Sequence, residues 1–228
     1  NYLSNSFYDI APFMSFGSNV LDEEGKKFLV GVDDKATAAA RWVTDLRVKH
    51  HVAPLREEAE GLQFQAGLYA TRTMGSYYVE PLKIEVGDKF RYSVSLHPIG
   101  PAGIRGWQPF IEMYSVYSKC THPDLAYDLV VEETSEKAGI EQLDQLAPAG
   151  RKSSWERAAS NDDIYKRVLD WMNSTPSEFP MPYNVRFQEA QDTWVNNARD
   201  VFYGEVGFEE GIDNLRSRVQ AVLDLPRP

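Results

Sequence analysis

The sequence has 228 residues and a mass of 25.9 kDa, enough for one large domain or two small ones with a buried core. Its 43% hydrophobic and 25% charged residues are typical of a globular protein and exclude disordered, collagen-like and disulfide-rich classes. The formal net charge of -10 argues against a nucleic-acid partner, because phosphate binding requires a basic surface.

The ends and the cysteine content of the chain add three expectations. Cys120 is the single cysteine, so no internal disulfide can form. The longest apolar runs, such as Leu129–Val131, fall far short of the roughly 20 residues of a membrane-spanning helix. The chain opens on Asn1 and Tyr2 rather than on methionine, so we expect an excised piece of a longer protein.

An amphipathic helix is the clearest element of the first third of the chain. Apolar side chains recur at helical spacing from Ala36 to Leu46, and Asp33 or Asp34 offers an N-cap. The pattern predicts a helix from about Lys35 to His50. The other elements expected in this third are short, namely a strand at Phe28–Val30, an acidic helix at Glu57–Gln65 and a strand at Leu68–Thr71.

Alternation of apolar and polar side chains predicts strands in the middle of the chain. Phe90–Leu96 alternates in this way, and Pro98 ends the pattern. Ile99–Gln108 is rich in glycine and proline, which indicates a flexible crossing segment. Pro109–Tyr117 is again strand-like.

Helices are expected in most of the remaining chain. The last two carry apolar stripes at three- and four-residue spacing, with Trp194 expected in the core rather than at a ligand. The predicted helices are His122–Val131, Ser135–Leu146, Asn161 or Asp162 to Met172, Val185–Phe202 and Phe208–Leu223.

Several kinds of chemistry have no motif in this sequence. There is neither a phosphate-binding glycine pattern nor a serine-hydrolase elbow, since Gly17-Ser18 lacks the second glycine. The histidines are not spaced as a helical metal pair, so we expect neither a metal nor a cofactor. The histidines are His50, His51, His97 and His122.

Paired carboxylates leave a glycosidase open as an alternative function, since that chemistry needs only two acids at the right separation. The acidic run Glu57–Glu60 is interpreted as a solvated surface, and Glu209 and Glu210 as acids at a helix start, where the helix dipole favours them. No acidic pair stands out, so no catalytic residue is assigned.

Aromatic side chains next to glycines are the strongest candidates for ligand contacts. Tyr77 and Tyr78 follow Gly75, and Trp107 follows Gly106, in positions where side chains can emerge from a sheet edge. Sugars stack their CH-rich faces on such rings and need a few polar partners for their hydroxyls. The candidate ligand-binding residues are Tyr77, Tyr78, Trp107, Arg105, Gly106, Asn184 and Arg186.

Short motifs in a fixed order give the sequence a family resemblance over nearly its whole length. They are Thr44-Asp45-Leu46 through Ala53-Pro54, Phe64 to Thr71 with Gly75-Ser76-Tyr77, Gly100 to Gly103 with Gly106-Trp107, Ser118-Lys119 with His122 to Tyr127, and Gly207 to Ile212. In this order they resemble the C-terminal portion of the extracellular solute-binding proteins (family 1, sugar type) of ABC importers, the group that includes maltose-binding protein. Thr71 stands where the family usually has methionine, and Tyr77 where it has a stacking tryptophan.

The resemblance implies an α/β fold of the periplasmic-binding-protein type II. The chain would form a helix-rich second lobe with a small mixed sheet, plus a partial return segment of the first lobe. Residues 1–98 would form the α/β core of the second lobe, 99–150 the crossing segment and the partial return, and 151–228 C-terminal helices packed on the second lobe.

The resemblance also implies a function without catalysis. A sugar or oligosaccharide would bind in a cleft between two lobes, and the closed form would deliver it to permease subunits in the membrane. Such a protein is extracytoplasmic, either periplasmic or a cell-surface lipoprotein. The partial first lobe would favour self-association of the fragment, and a purely structural or interaction fragment is a third interpretation.

Overall fold

A computed structural model describes residues 10–55, 63–107, 113–142, 150–174 and 184–226. The chain divides into a first unit, Asn1–Leu62 with Leu96–Gln108 and Ser177–Pro228, and a second unit, Gln63–Ser95 with Pro109–Pro176. The helices of the described residues are α1 (Ala11–Ser15), α2 (Asp34–Val48), α3 (Val79–Val86), α4 (Pro123–Glu133), α5 (Glu136–Gln142), α6 (Lys152–Asn161), α7 (Asp163–Ser174), α8 (Phe187–Phe202) and α9 (Phe208–Leu223), with 3-10 turns at Phe64–Ala66 and Ser76–Tyr78.

Helix α2 confirms the first predicted helix to within two residues. The side chain of Asp33 caps it by accepting a hydrogen bond from the amide of Ala36 at 2.8 Å. Burial alone would raise the pKa of Asp33, but hydrogen bonds from the amides of Ala36 and Lys35 and from Ser18 lower it below its ordinary value. The negative charge is thus retained at the positive end of the helix dipole.

Trp194 is at the centre of the core of the first unit and has no exposed surface, which confirms its predicted position. Its ring lies 5.5 Å from Phe28 and 6.3 Å from Phe13, both edge-to-face, and 5.6 Å from Phe202. Helices α8 and α9 contribute the predicted apolar stripes to the same cluster, including Ala190, Ala198, Ile212, Leu215 and Val219. Edge-to-face packing adds about 0.5–1.5 kcal/mol per pair to the burial of these rings.

The described residues of the second unit form two smaller apolar clusters. In one, Trp155 of α6 packs edge-to-face on Tyr165 of α7 at 6.0 Å, next to Val79. In the other, Phe64 meets Phe90 at 5.5 Å and Tyr92 at 6.2 Å, beside α3. Each of these clusters has fewer buried residues than the core of the first unit.

The predicted strands are wrong for the described residues. There, β pairing is confined to isolated antiparallel bridges, Leu21 with Phe28 and Ile99 with Arg105. The alternating segment Phe90–Leu96 has no regular secondary structure and pairs with no strand among the described residues, and its rings at 90 and 92 pack on Phe64. The strand expected at Phe28–Val30 is reduced to the bridge between Phe28 and Leu21 across the turn at Asp22–Gly25. The described parts of Leu68–Thr71 and Pro109–Tyr117 form no strand, so the described fold is helix-rich without the expected small mixed sheet.

Several predicted elements differ from the structure at their bounds or fall partly outside the described residues. Helix α5 covers the described start of Ser135–Leu146, and most of the expected acidic helix Glu57–Gln65 lies outside the described residues. Asp162 caps α7 as predicted, since its side chain accepts a hydrogen bond from the amide of Ile164. The helix before it, α6, was not anticipated. The assignment of 1–98, 99–150 and 151–228 to lobes stays a prediction.

Candidate ligand-binding residues

The residues predicted to bind a ligand belong to different units of the chain. Tyr77 and Tyr78 lie in the second unit. Arg105, Gly106, Trp107, Asn184 and Arg186 lie in the first unit.

Tyr77 presents an aromatic ring to solvent. It lies in the 3-10 turn Ser76–Tyr78, and 51% of its surface is exposed. Its ring stands perpendicular to that of Tyr78, with 6.4 Å between the ring centroids. An exposed ring supported by a second ring can stack on the apolar face of a ligand.

Tyr78 is held by the protein on several sides. Its hydroxyl donates a hydrogen bond to Oε1 of Glu85 at 2.5 Å, and the guanidinium of Arg72 lies 5.2 Å from its ring centroid. The bond to Glu85, together with burial, raises the pKa of Tyr78 above its ordinary value. The ring also packs against the cluster around Phe64 and Val86, so its contacts are those of a supporting residue.

Gly106 is buried where no side chain fits. A Cβ atom at this position would lie 1.7 Å from the carbonyl oxygen of Ala11, which is backbone and has no room to yield. Arg105 is half-buried and donates from Nη1 to the carbonyl oxygen of His97. Trp107 is half-buried and packs against the core of the first unit.

Asn184 and Arg186 make contacts that fasten the start of α8. Asn184 donates from Nδ2 to the carbonyl oxygen of Gly25 at 2.5 Å and accepts from the amide of Arg186 at 2.7 Å. Arg186 donates from Nε and Nη2 to the carbonyl oxygen of Pro226, at 3.1 and 2.6 Å, and from Nη1 to Glu189 at 2.7 Å. Their polar groups therefore hold a loop and the C-terminal segment, and a role in ligand binding stays a prediction.

A polar cluster in the second unit was missed by sequence reasoning. The ammonium of Lys83 contacts Oε1 of Glu80 at 2.6 Å and Oδ2 of Asp162, and it lies 5.0 Å from the ring centroid of Tyr165. The Glu80–Lys83 pair has helical spacing and could have been found from the sequence. Asp162 is 79 residues away from Lys83, and no local pattern connects the two.

This cluster has the electrostatics of an ion pair rather than of an acid catalyst. Burial would raise the pKa of Asp162, but its bond with Lys83 and the amide of Ile164 lower that pKa below its ordinary value. Burial would lower the pKa of Lys83, but Asp162 and Glu80 raise it. Acid catalysis of glycoside hydrolysis needs the opposite, a carboxyl group whose pKa is raised.

Exposed apolar side chains follow α4 and the segment before it. No residue of α4 is buried, although its sequence is largely apolar. The exposed apolar residues are Met113, Tyr114, Val116, Tyr117, Leu125, Tyr127, Leu129 and Val131. An apolar surface of this kind often marks a contact with another protein surface.

The described residues lack two features. They contain no group of three or more histidine, cysteine, aspartate or glutamate side chains arranged to hold a metal ion. None of the helices there is both long enough and apolar enough to cross a bilayer.

Comparison with known proteins shows which fold the chain shares. An ABC substrate-binding protein of Listeria monocytogenes in complex with cycloalternan matches with a TM-score of 0.75 and 12% identity, over 95% of this chain and 56% of that protein. The maltose/maltodextrin-binding domain of Bdellovibrio bacteriovorus bound to maltotriose matches with a TM-score of 0.70 and 16% identity, over 97% of this chain and 58% of that protein. Maltose-bound MalE3 of T. maritima matches with a TM-score of 0.66 and 20% identity, over 93% of this chain and 56% of that protein.

The chain therefore has the fold of sugar-type ABC solute-binding proteins, as the motif order indicated, and spans little more than half of their length. No family model matches the sequence, and no curated protein matches it in a sequence search.

Proposed function

We propose that this chain is part of the substrate-binding component of an ABC importer, which captures a sugar or oligosaccharide and delivers it to a permease in the membrane. The observation that carries the proposal is the fold shared with solute-binding proteins solved with maltose, maltotriose and cycloalternan. An extracytoplasmic location, periplasmic or as a cell-surface lipoprotein, belongs to the same proposal.

Tyr77 is the candidate of the second unit that is best placed to contact a sugar, because its ring is exposed. The CH groups on one face of a pyranose ring form an apolar surface that stacks on an aromatic ring. Such stacking requires no charge on the ligand, in keeping with a neutral sugar and an acidic protein of net charge -10. In the first unit, Trp107 and Arg105 are the corresponding candidates, as a ring and a hydrogen-bond donor.

Sugar-dependent stabilisation tests the proposal directly. The chain would be titrated with maltose, maltotriose and tagatose, and its melting temperature and heat of binding would be recorded. A ligand that binds only the folded state adds about 2.7 kcal/mol to the free energy of unfolding at a hundredfold excess over Kd. Absence of any shift and any heat with all three sugars, up to millimolar concentrations, would refute sugar binding by this chain.

Replacement of Tyr77 by alanine tests the proposed stacking ring. We expect a loss of about 1–3 kcal/mol in binding free energy, because the ring supplies the apolar contact with the sugar. Tyr114→Ala is the matched control, since Tyr114 is a tyrosine of similar exposure in the same unit. Equal affinities for the wild type and Tyr77→Ala would exclude Tyr77 from the site.

The glycosidase alternative is separated by a product assay. Hydrolysis of nitrophenyl glycosides that disappears in Glu80→Gln or Asp162→Asn would favour an enzyme. Sugar binding without product would favour the importer component, and neither signal would favour a structural or interaction fragment.

A further inference from the structure

The ring of Tyr77 occupies the space where a side chain of residue 75 would be. A Cβ atom built on Gly75 would lie 2.4 Å from Cε1 and 2.6 Å from Cδ1 of Tyr77, well inside contact distance. The backbone of Gly75 is extended, with φ of -77° and ψ of 157°, a conformation that any residue can adopt. Glycine is therefore required here by the position of the ring and not by the backbone.

Tyr78 supports the same ring from another direction. The two rings are perpendicular at 6.4 Å, an edge-to-face geometry that is attractive for aromatic pairs. Tyr78 is itself fixed by its hydrogen bond to Glu85 and by the guanidinium of Arg72. The orientation of Tyr77 thus depends on a fixed neighbour as well as on the missing side chain at 75.

We propose that Gly75 is a positioning residue, which sets the orientation of the Tyr77 ring for stacking on a sugar. This inference rests on the proposed function. A ring already held in its bound orientation loses less conformational freedom on binding, so affinity depends on Gly75 although it has no side chain to touch the ligand. A methyl group at 75 pushes the ring aside.

A methyl group at residue 75 would collide with a side chain, whereas one at residue 106 would collide with the backbone. An effect on binding can therefore be measured at residue 75 without loss of the fold. At Gly75 the nearest atoms belong to a ring that can rotate, whereas at Gly106 they belong to the backbone of Ala11. Gly75→Ala should therefore fold and displace the ring. We expect Gly75→Ala to weaken binding of maltose or maltotriose about tenfold, with a melting temperature close to that of the wild type.

The controls separate the ring from the backbone. Gly150→Ala adds the same methyl group in the same unit, where no atom of the described residues lies within 4 Å, and it should bind like the wild type. If Gly75 acts through Tyr77, the alanine at 75 should cost no affinity in a Tyr77→Ala background. An equal loss in both backgrounds, or no loss in the wild-type background, would overturn the inference and leave the proposed function intact.

Proton NMR of the free protein provides a readout that needs no sugar. A ring against Gly75 should displace the chemical shift of at least one Hα of Gly75, and Tyr77→Ala should return it to an ordinary value. An ordinary Hα shift in the wild type would overturn the inference, even if Gly75→Ala failed to fold. Failure of the wild type to bind any sugar would instead overturn the proposed function, and the sugar-binding role of Gly75 with it.

Discussion

Replacing Asp162 with asparagine isolates one charge of the polar cluster in the second unit. Asparagine keeps an oxygen that can accept the amide of Ile164, as Asp162 does at 2.7 Å, so the cap of α7 is retained. Lys83 keeps its contact with Glu80 at 2.6 Å, so its ammonium is not left unpaired. The substitution thus removes mainly the attraction between residues 83 and 162.

The exposure of the pair sets the expected magnitude. The side chains of Lys83 and Asp162 are 30% and 25% exposed. Exposed pairs contribute about 0.2–1 kcal/mol, whereas removing one partner of a fully buried pair costs about 3–5 kcal/mol. Because this pair is intermediate and Glu80 remains, we expect Asp162→Asn to lower the free energy of unfolding by about 1–2 kcal/mol at pH 7.

The pH dependence follows from the direction of each pKa shift. The folded-state pKa of Asp162 lies below its ordinary value of 3.8, so the stabilisation is present above that pH and is lost as the pH falls through the folded pKa. The folded-state pKa of Lys83 lies above 10.5, so its contribution is present below that pH and is lost as the pH rises through the folded pKa. The difference in the free energy of unfolding between wild type and Asp162→Asn should therefore be constant from about pH 5 to 9 and shrink towards pH 3.

Urea denaturation at pH 7, 5 and 3, with hydrogen exchange of the amides of α3 and α7, measures this difference in the second unit. Glu156→Gln is the control, since its pair with Lys152 is 3.5 Å long and exposed, and it should change the free energy by at most about 0.5 kcal/mol. Equal unfolding free energies for wild type and Asp162→Asn at all three pH values would refute the ion-pair argument.

Two further predictions concern the first unit and the apolar surface of α4. Gly106→Ala should lower the free energy of unfolding by about 3 kcal/mol or more, because its Cβ would collide with the backbone of Ala11. Denaturation measures this change, with Gly207→Ala as the control, because a methyl group at 207 lies within 4 Å of no atom of the described residues. A Gly106→Ala variant as stable as the wild type would contradict the prediction. We also expect self-association through the exposed apolar side chains of α4. The double variant Leu125→Lys, Leu129→Lys should then have a lower mass in sedimentation equilibrium than the wild type. An unchanged mass would assign the contact to another surface.

The helices could be predicted because their signals are local. Asp33 caps α2 as its position before the apolar pattern indicated, and α9 has the predicted bounds Phe208–Leu223. Both signals lie within a few residues of the element that they define. Helix α6 was missed because its apolar residues, such as Trp155 and Ala158, are few among polar ones.

The strands could not be predicted in the same way, because a strand needs a partner that the local sequence does not specify. In Phe90–Leu96 the alternation is real, and it separates half-buried Phe90 and Tyr92 from exposed Arg91 and Ser93. The buried side packs on the ring of Phe64, so alternation predicted which side chains are sheltered but not that they lie in a sheet.

Polar candidates were harder to interpret than aromatic ones, for a similar reason. Residue type identifies Arg186 as a hydrogen-bond donor, but only the fold brings the carbonyl of Pro226, 40 residues away, to its Nε and Nη2. Asn184 likewise donates to the carbonyl of Gly25, 159 residues earlier. For Tyr77 the sequence indicates an aromatic ring that can emerge at a surface, and the ring is exposed in the structure; its role in ligand binding stays a prediction.

Gly106 and Gly75, which both lie close to an aromatic residue in the sequence, exclude a side chain for different reasons. At Gly106, beside Trp107, the backbone of Ala11 approaches too closely for any side chain, so the residue is needed for the fold of the first unit. At Gly75, two residues before Tyr77, the space is filled by a ring, so the residue is needed for the position of that ring. Since a ring can rotate and a backbone cannot, we expect Gly75→Ala to move the Tyr77 ring and keep the fold, and Gly106→Ala to destabilise the first unit.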